Sequence, residues 1–385
     1  MARSESKSFS FLTDQQAMTR DVVRGVATDV IAPTAAERDR TAAWPHAELK
    51  ALGDLGFMGM LPSEQYGGSN AGFVSYCLAL EEISAADAGV GTIFHVHNVT
   101  AYTIALHGTE EQKKACLPAM LRGEKIGAFL LTEPQAGSDT AAFRATARRD
   151  GDAYVLNGAK QFISNGSEAG MTIVLARSDP QAGKKGFTTF LVDPKTPGYK
   201  VARVEDKLGQ RTAHIAQIQL DNLRVPAANV LGEVGGGYKI VMGGLSDGRI
   251  AIAAQAVGVA QAALNAAIRY AGEREAYGQP IAALQAVSFR LAEMAAQVDV
   301  ARQYYIYAAR LLEAGAPCAK EAAIAKLVAS EMAEKVCSDA IQIHGGYGYL
   351  KDFPVERYYR DVRVCKIYEG TSDIQKLIIA RSLST

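Results

Sequence analysis

Apolar residues recur every three to four positions through the first third of the chain, the spacing of one face of an α-helix. PHAELKALGDLGFM (residues 45–58) and GFVSYCLALEEISAAD (72–87) both carry this pattern. Ahead of QQAMTRDVVRGVATDVIAP, Asp14 stands at the expected N-cap and Pro33 at the expected stop. TEEQKKACLPAMLRG opens on Thr109 with Gln112 following, the pattern of a capping box. The period changes near residue 126. IGAFLLTEP, ATARRDGDAYVLNG, MTIVLARSD, GFTTFLVDP and IAQIQLDNLRVP are short, partly alternating and rich in β-branched and aromatic residues. Turn pairs separate them: Asp150-Gly151, Asn157-Gly158, Asn165-Gly166 and Pro197-Gly198. From residue 238 the helical period returns, and Val287, Leu291, Met294, Val298, Tyr305 and Leu312 mark one face. The pattern predicts an α+β multidomain chain: helical over 1–125, antiparallel β over 126–237, helical over 238–385.

One run needs a separate reading. Between Arg249 and Arg269 nineteen residues carry no charge. Most are Ala and Gly, with Gln255, Gln261 and Asn265 among them, a composition suited to a helix buried inside a bundle rather than to lipid. Lys plus Arg and Asp plus Glu both number 41, and no long basic run occurs, so neither nucleic acid nor a membrane surface is an expected partner. The five cysteines are widely spaced without a CxxC pair, and the six histidines include no HExxH, so no metal site is expected. The N-terminal MARSESKSFSFL lacks the apolar core of a secretory signal. The expected location is the cytoplasm of a bacterium or, as a second choice, a mitochondrial matrix.

Four stretches hold candidate chemistry: FLLTEPQAGSD (129–139), REAYGQPI (274–281), QIHGGYGYL (342–350) and IYEGTSDIQ (367–375). Each has an ordinary local explanation. Thr371 or Ser372 can cap a helix behind a surface Glu369, TEPQAGSD can be a turn after a strand, and the other two can be helix ends. Taken together, in this order and at these intervals, they resemble the acyl-CoA dehydrogenase family over nearly the whole chain. The resemblance implies a helical N-terminal domain, a middle β domain and a C-terminal four-helix bundle. It also implies FAD as cofactor, an acyl-CoA substrate, an electron-transferring flavoprotein as electron acceptor and a homotetramer built as a dimer of dimers.

Residue roles follow from the same resemblance. Glu369 is similar to the base that removes the α-proton while the β-hydrogen leaves as hydride. The substrate carbonyl would be held by a flavin ribityl hydroxyl and the Glu369 N–H. Phe129, Leu131 and Thr132 would line the flavin edge, Ser138 would face the FAD pyrophosphate and the substrate, and Phe162, Ile163 and Ser164 would flank the ring. Arg274, Gln285, Gln342, Gly345 and Gly346 would reach the FAD of a neighbouring subunit. Thr371 and Asp373 would close over the adenosine side, and Ser246, Arg249 and Gly370 would meet the substrate.

The chain departs from the family pattern at several of these places. Many relatives have Trp where Phe162 stands and Glu where Asp373 stands. Many also read Asp-x-x-Arg, which would put Asp at 246, whereas this chain reads Ser246-Asp247-Gly248-Arg249. Isovaleryl-type relatives carry their base immediately before that arginine, where this chain has Gly248, so the resemblance points to Glu369 and to a short- or branched-chain acyl group. His95 and His97 fall in the segment that would line the acyl pocket, and packed, hydrogen-bonded roles are expected for them. A polar pocket end could instead suit a glutaryl-type acid. Arg360, Asp361 and Arg363 are expected to form an ion-pair cluster beside the Glu369 loop, and Trp44 to be core. Rival readings are an acyl-CoA oxidase or flavin monooxygenase on the same fold, and a non-catalytic relative.

Overall fold

The computed structural model describes residues 12–383. Residues 1–11, most of the stretch inspected for a targeting signal, lie outside that range. The chain opens with α1 (Asp14–Val26), α2 (Ala35–Thr41), α3 (His46–Asp54), α4 (Phe73–Ala86), α5 (Ala88–His107) and α6 (Glu110–Leu121). The N-cap of α1 is Thr13 rather than Asp14. The Gln16 N–H donates to Thr13 Oγ1 at 3.2 Å and the Thr13 N–H donates to Gln16 Oε1 at 3.0 Å, a reciprocal pair that Asp14 could not complete. Asp14 sits in the first turn, where the helix dipole favours an acid. Pro33 does not stop the chain. A π turn (Ala27–Ile31) and a 3-10 turn (Ala32–Thr34) carry it into α2, and Pro33 sits at the start of the second turn, where no N–H is needed. The expected capping box at Thr109 and Gln112 is present at the start of α6.

The middle domain contains β1 (Ile126–Leu130), β2 (Thr146–Asp150), β3 (Ala153–Ser164), β4 (Ala169–Arg177), β5 (Phe187–Val192), β6 (Tyr199–Val204), β7 (Ile215–Pro226) and β8 (Val230–Leu231). Strand order is β6-β7-β3-β2-β4-β5-β8, with β1 beside β4. Most pairs are antiparallel. Of the expected turn pairs only Asp150-Gly151 closes a hairpin between paired strands; Asn157-Gly158 lies inside β3, where the register shifts, and Asn165-Gly166 and Pro197-Gly198 lead to strands elsewhere in the sheet. β1 departs from the expected antiparallel pattern and runs parallel to β4, and β2 meets β4 in parallel at Thr146–Arg177. The β2–β3 hairpin acts as the crossover, so β4 enters in the direction of β1. Burial along almost the whole of β1 explains its unbroken apolar sequence.

The C-terminal part contains α7 (Gly237–Gly243) and α8 (Leu245–Glu273), then a small hairpin of β9 (Glu275–Ala276) and β10 (Gln279–Pro280). α9 (Gln285–Glu313), α10 (Ala319–His344), α11 (Val355–Val362) and α12 (Ser372–Ser382) follow. REAYGQPI is therefore a hairpin, not a plain helix end. Tyr277 and Gly278 both take positive φ, +54° and +77°, as a type I′ turn requires. The long helices α8, α9 and α10 pack on one another, with the shorter α12 along α10. The stretch Gly237–Glu273, α7 and α8 together, is long and apolar enough to cross a membrane, but most of its apolar part is buried inside the protein.

The helical regions that flank the sheet share one hydrophobic core, whereas the sheet has its own. The join is α4 against α8. A Cβ at Gly258 of α8 would lie 2.1 Å from the Glu81 carbonyl oxygen of α4, so only glycine lets the two backbones approach. Glu81 is buried there and accepts from Arg302 Nε of α9 at 2.9 Å and from the Tyr305 hydroxyl. Gly258→Val is expected to push α4 off α8 at a cost of about 1–3 kcal/mol, read as a lowered thermal unfolding temperature. A variant that melts with the wild type would contradict this packing.

Candidate active site

Glu369 lies in the connection between α11 and α12, after a 3-10 turn (Arg363–Lys366). Glu369 and Gly370 both adopt left-handed backbone, with φ of +51° and +90°. For a glutamate this conformation costs on the order of 1–3 kcal/mol and persists only where the surroundings enforce it. Lys326 Nζ of α10 donates to the Gly370 carbonyl at 2.7 Å, and Gln375 Nε2 of α12 donates to the same oxygen at 2.8 Å. The Tyr368 hydroxyl donates to Gln255 Oε1 of α8 and accepts from Gln210 Nε2 of the β6–β7 loop. Gln255 Nε2 in turn donates to the Ala88 carbonyl and to Thr92 Oγ1 of α5. Both flanking helical regions and the sheet domain therefore hold one turn. Among the described residues the Glu369 N–H has no protein acceptor.

The carboxylate lies over α8. A Cβ at Gly248 would fall 2.6 Å from Glu369 Oε2, so the missing side chain at 248 makes the space that the acid fills. Oε1 is 4.0 Å from His95 Nε2, and 32% of the Glu369 side chain remains open. Burial raises the Glu369 pKa above the usual carboxylate range, while the positive charges of Arg249 and Lys326 oppose the rise. Burial also pushes Lys326 down to about 8 and Asp247 up to about 6, the charge of Glu369 adding to the latter. Arg249 is buried and its Nε has no partner.

The residues expected around the flavin fall into separate groups. Phe129, Leu131 and Thr132 leave β1 half-buried, and the Thr132 carbonyl accepts from the Gln161 N–H at 2.8 Å. The β3 register shifts between Lys160 and Ile163, and Phe162 takes a φ of +57° with 64% of its surface exposed. The irregularity turns a flat ring out to the surface, next in sequence to the Gln161 that bonds Thr132. Ile163 packs into the sheet core, and Ser164 ends the strand half-buried. Ser138 is exposed in the turn after β1. Ser246 and Asp247 open α8, both half-buried.

Elsewhere, Arg274, Gly345 and Gly346 line a groove of about 490 Å³ together with Tyr270, His344 and Tyr347. The Arg274 guanidinium lies 5.7 Å from the centre of the Tyr347 ring. Gln285 begins α9 and Gln342 sits in the last turn of α10, both outside the groove lining. Thr371 is the N-cap of α12, accepting from the Ile374 N–H at 3.3 Å. Ser372 Oγ is buried without a partner, and Asp373 is exposed with Lys376 3.9 Å away.

Several residues that matter here were not singled out by sequence. Glu133 and Lys160 form a buried ion pair at 2.9 Å that anchors the TEPQAGSD turn. The Glu133 carboxylate also accepts from the Arg144 and Ala145 N–H groups, and Lys160 Nζ donates to the Leu131 carbonyl. Lys326 did leave a signal, because it shares the buried face of α10 with Ala322, Ala329 and Ala333. The expected cluster of Arg360, Asp361 and Arg363 is not one cluster. Arg360 pairs with Asp39 and Glu356, Arg363 pairs with Glu334, and Asp361 accepts from the Gln210 N–H. Arg360 and Asp361 are successive positions of α11 and point apart, while Arg363 lies in the following 3-10 turn and reaches Glu334 of α10. Trp44 is half-buried against His214 at a ring distance of 5.3 Å. His97 is structural: Nδ1 accepts from the Gly127 N–H and Nε2 donates to the Met58 carbonyl.

Three family profiles of acyl-CoA dehydrogenases match the chain: the N-terminal domain over residues 13–124, the middle domain over 128–223 and the C-terminal domain over 235–384. The chain belongs to the acyl-CoA dehydrogenase family. It is an oxidoreductase of the CH–CH bond of acyl-CoA thioesters. An acyl-CoA dehydrogenase of Bacillus subtilis (strain 168) is 46% identical over 97% of this chain and 98% of its own length. The mouse mitochondrial short-chain specific acyl-CoA dehydrogenase is 44% identical over 97% of this chain and 90% of its own. Butyryl-CoA dehydrogenase from Megasphaera elsdenii superposes with a TM-score of 0.95 at 40% identity, covering 97% of this chain and 99% of that one.

The family implies FAD, and this chain's residues fit it. The outward Phe162 ring, the orphaned Ser372 hydroxyl and the bare Gly345-Gly346 step beside Arg274 suit a flat ring, a polar tail and a close backbone approach. Lys160→Met should leave the buried Glu133 carboxylate uncompensated and destabilise the middle domain by about 3–5 kcal/mol. Thermal unfolding measures this, and adding Glu133→Gln should recover part of the loss. An unchanged Lys160→Met melt would contradict the pairing.

Proposed function

We propose that the protein dehydrogenates a short- or branched-chain acyl-CoA across its α and β carbons, with Glu369 as the base. The observation that carries this reading is the Glu369 carboxylate seated over Gly248 with its pKa raised by burial. A base for a weakly acidic C–H needs a pKa brought towards the working pH and a fixed position. The strained turn supplies the position. The unpaired Glu369 N–H is free to hold the thioester carbonyl, polarising it as the α-proton leaves. The positive charges of Arg249 and Lys326 oppose the rise and so favour the ionised carboxylate.

Bound FAD supplies acceptance of the β-hydrogen as hydride. Phe129, Leu131, Thr132, Ser138, Phe162, Ile163 and Ser164 would hold it on one side, and Thr371 and Asp373 on the other. Arg274, Gln285, Gln342, Gly345 and Gly346 would meet the cofactor of a neighbouring subunit in a homotetramer. The exposed groove at Arg274, away from the Glu369 turn, supports that division. Ser246, Arg249 and Gly370 would contact the acyl-CoA, and an electron-transferring flavoprotein would take the electrons onward.

Glu369→Gln tests the base. The variant keeps shape, so FAD should stay bound while anaerobic substrate-dependent flavin bleaching slows by about 10²–10⁴-fold. Bleaching at the wild-type rate would place the base elsewhere. A chain-length series tests the substrate. A shallow pocket buries few methylenes, each worth about 0.8 kcal/mol, so kcat/KM should peak at about four to five carbons and fall by octanoyl-CoA. Efficiency still rising at octanoyl-CoA, or a preference for glutaryl-CoA, would overturn the short- or branched-chain assignment.

A further inference from the structure

His95 has no place in the chemistry described so far, yet it is buried with its Nε2 facing Glu369. The ring sits on α5, and Nδ1 lies 2.7 Å from the Tyr76 hydroxyl of α4. Tyr76 is fully buried, and His95 is the one partner of its hydroxyl among the described residues. If Nδ1 carried the proton and Tyr76 accepted it, the buried O–H of Tyr76 would have no acceptor, at the full cost of a desolvated donor. Tyr76 therefore donates to Nδ1, and the proton of the neutral ring sits on Nε2. That N–H is the group 4.0 Å from Glu369 Oε1, one small side-chain rotation from hydrogen-bond distance.

We propose that His95 is a positioning residue for Glu369: Tyr76 fixes its tautomer so that the Nε2–H donates to the ionised carboxylate and holds it in place for the α-proton. The proposal rests on Glu369 being the base. The ring stays neutral near pH 7, since burial pushes its pKa down to about 4, so it acts as a dipole and not as a counter-ion. It cannot receive the α-proton as a second acid–base group at that pH. Once Glu369 is protonated the donor loses its charged acceptor, so the contact favours the ionised form. The other charged or titratable groups facing Glu369 are Arg249 and Asp247 of α8, Lys326 of α10 and Tyr76 of α4.

The sign of the effect follows. A donor to the carboxylate lowers the Glu369 pKa, so removing it raises that pKa, and the acid limb of the rate moves to higher pH. The experiment is the pH profile of anaerobic flavin reduction by butyryl-CoA in the FAD-loaded protein. His95→Ala should shift the acid limb upward by about one unit, and His95→Gln, whose amide can donate, should bring it back towards the wild type. Tyr76→Phe keeps the imidazole but frees its tautomer, and should shift the limb in the same direction by less. If His95→Ala fails to retain FAD, the Tyr76→Phe profile decides alone. An acid limb unmoved in His95→Ala, or in Tyr76→Phe where that variant decides, overturns the proposal, as does a His95→Gln profile equal to that of His95→Ala. Failure of the base reading looks different: Glu369→Gln would then retain wild-type reduction with its acid limb intact.

Discussion

The Glu369 carboxylate over Gly248 is the constraint on which the rest of the structure depends. To put an acid there, the chain must leave α11, tighten through a 3-10 turn and pass through two left-handed residues before α12 begins. None of this is favourable locally. It is held by Lys326, Gln375 and the Tyr368–Gln255 contact, all buried or half-buried polar groups whose alternative is an unsatisfied carbonyl or hydroxyl. The same burial that makes those hydrogen bonds strong raises the pKa of the acid.

The architecture serves this turn from several directions. α8 supplies Gly248, Arg249 and Gln255 within two helical turns, α10 supplies Lys326 and α5 supplies His95. The β6–β7 loop reaches in through Gln210, which bonds both Tyr368 and Asp361. The shared core of the flanking helices explains why they hold these groups in register. The sheet has its own core, but apolar clusters join its strands β4, β5 and β8 to α5 and α6, and Gln210 adds polar contacts at the turn.

Sequence revealed the order of helix, sheet and helix because each has its own apolar period, and a run of motifs drew attention to Glu369, whose carboxylate the fold sets over Gly248. It showed less where the decisive contact is long-range. The parallel pairing of β1 with β4 depends on a partner more than forty residues away, and nothing in IGAFLLTEP states a direction. The Thr13 cap was misplaced by one residue because Thr and Asp both cap well and only Gln16 distinguishes them. The expected ion-pair cluster at 360–363 failed because its charges find partners distant in sequence, Arg360 at Asp39, Arg363 at Glu334 and Asp361 at the Gln210 N–H. His95 was read as a packed, hydrogen-bonded histidine, which the Tyr76 contact bears out, but its proximity to Glu369 is a property of the fold alone.

The space above Gly248 that the acid fills also limits how this site can change over generations. Positions 248 and 369 draw on one volume, so a side chain gained at 248 collides with the acid at 369 before it can contribute anything. The two sites form a single evolutionary character with an excluded intermediate. A lineage that moved its acid from the turn at 369 to α8 at 248 would have to shorten 369 before, or together with, enlarging 248. Taken stepwise, such a path crosses a form with no acid at either place, which would keep the two arrangements apart.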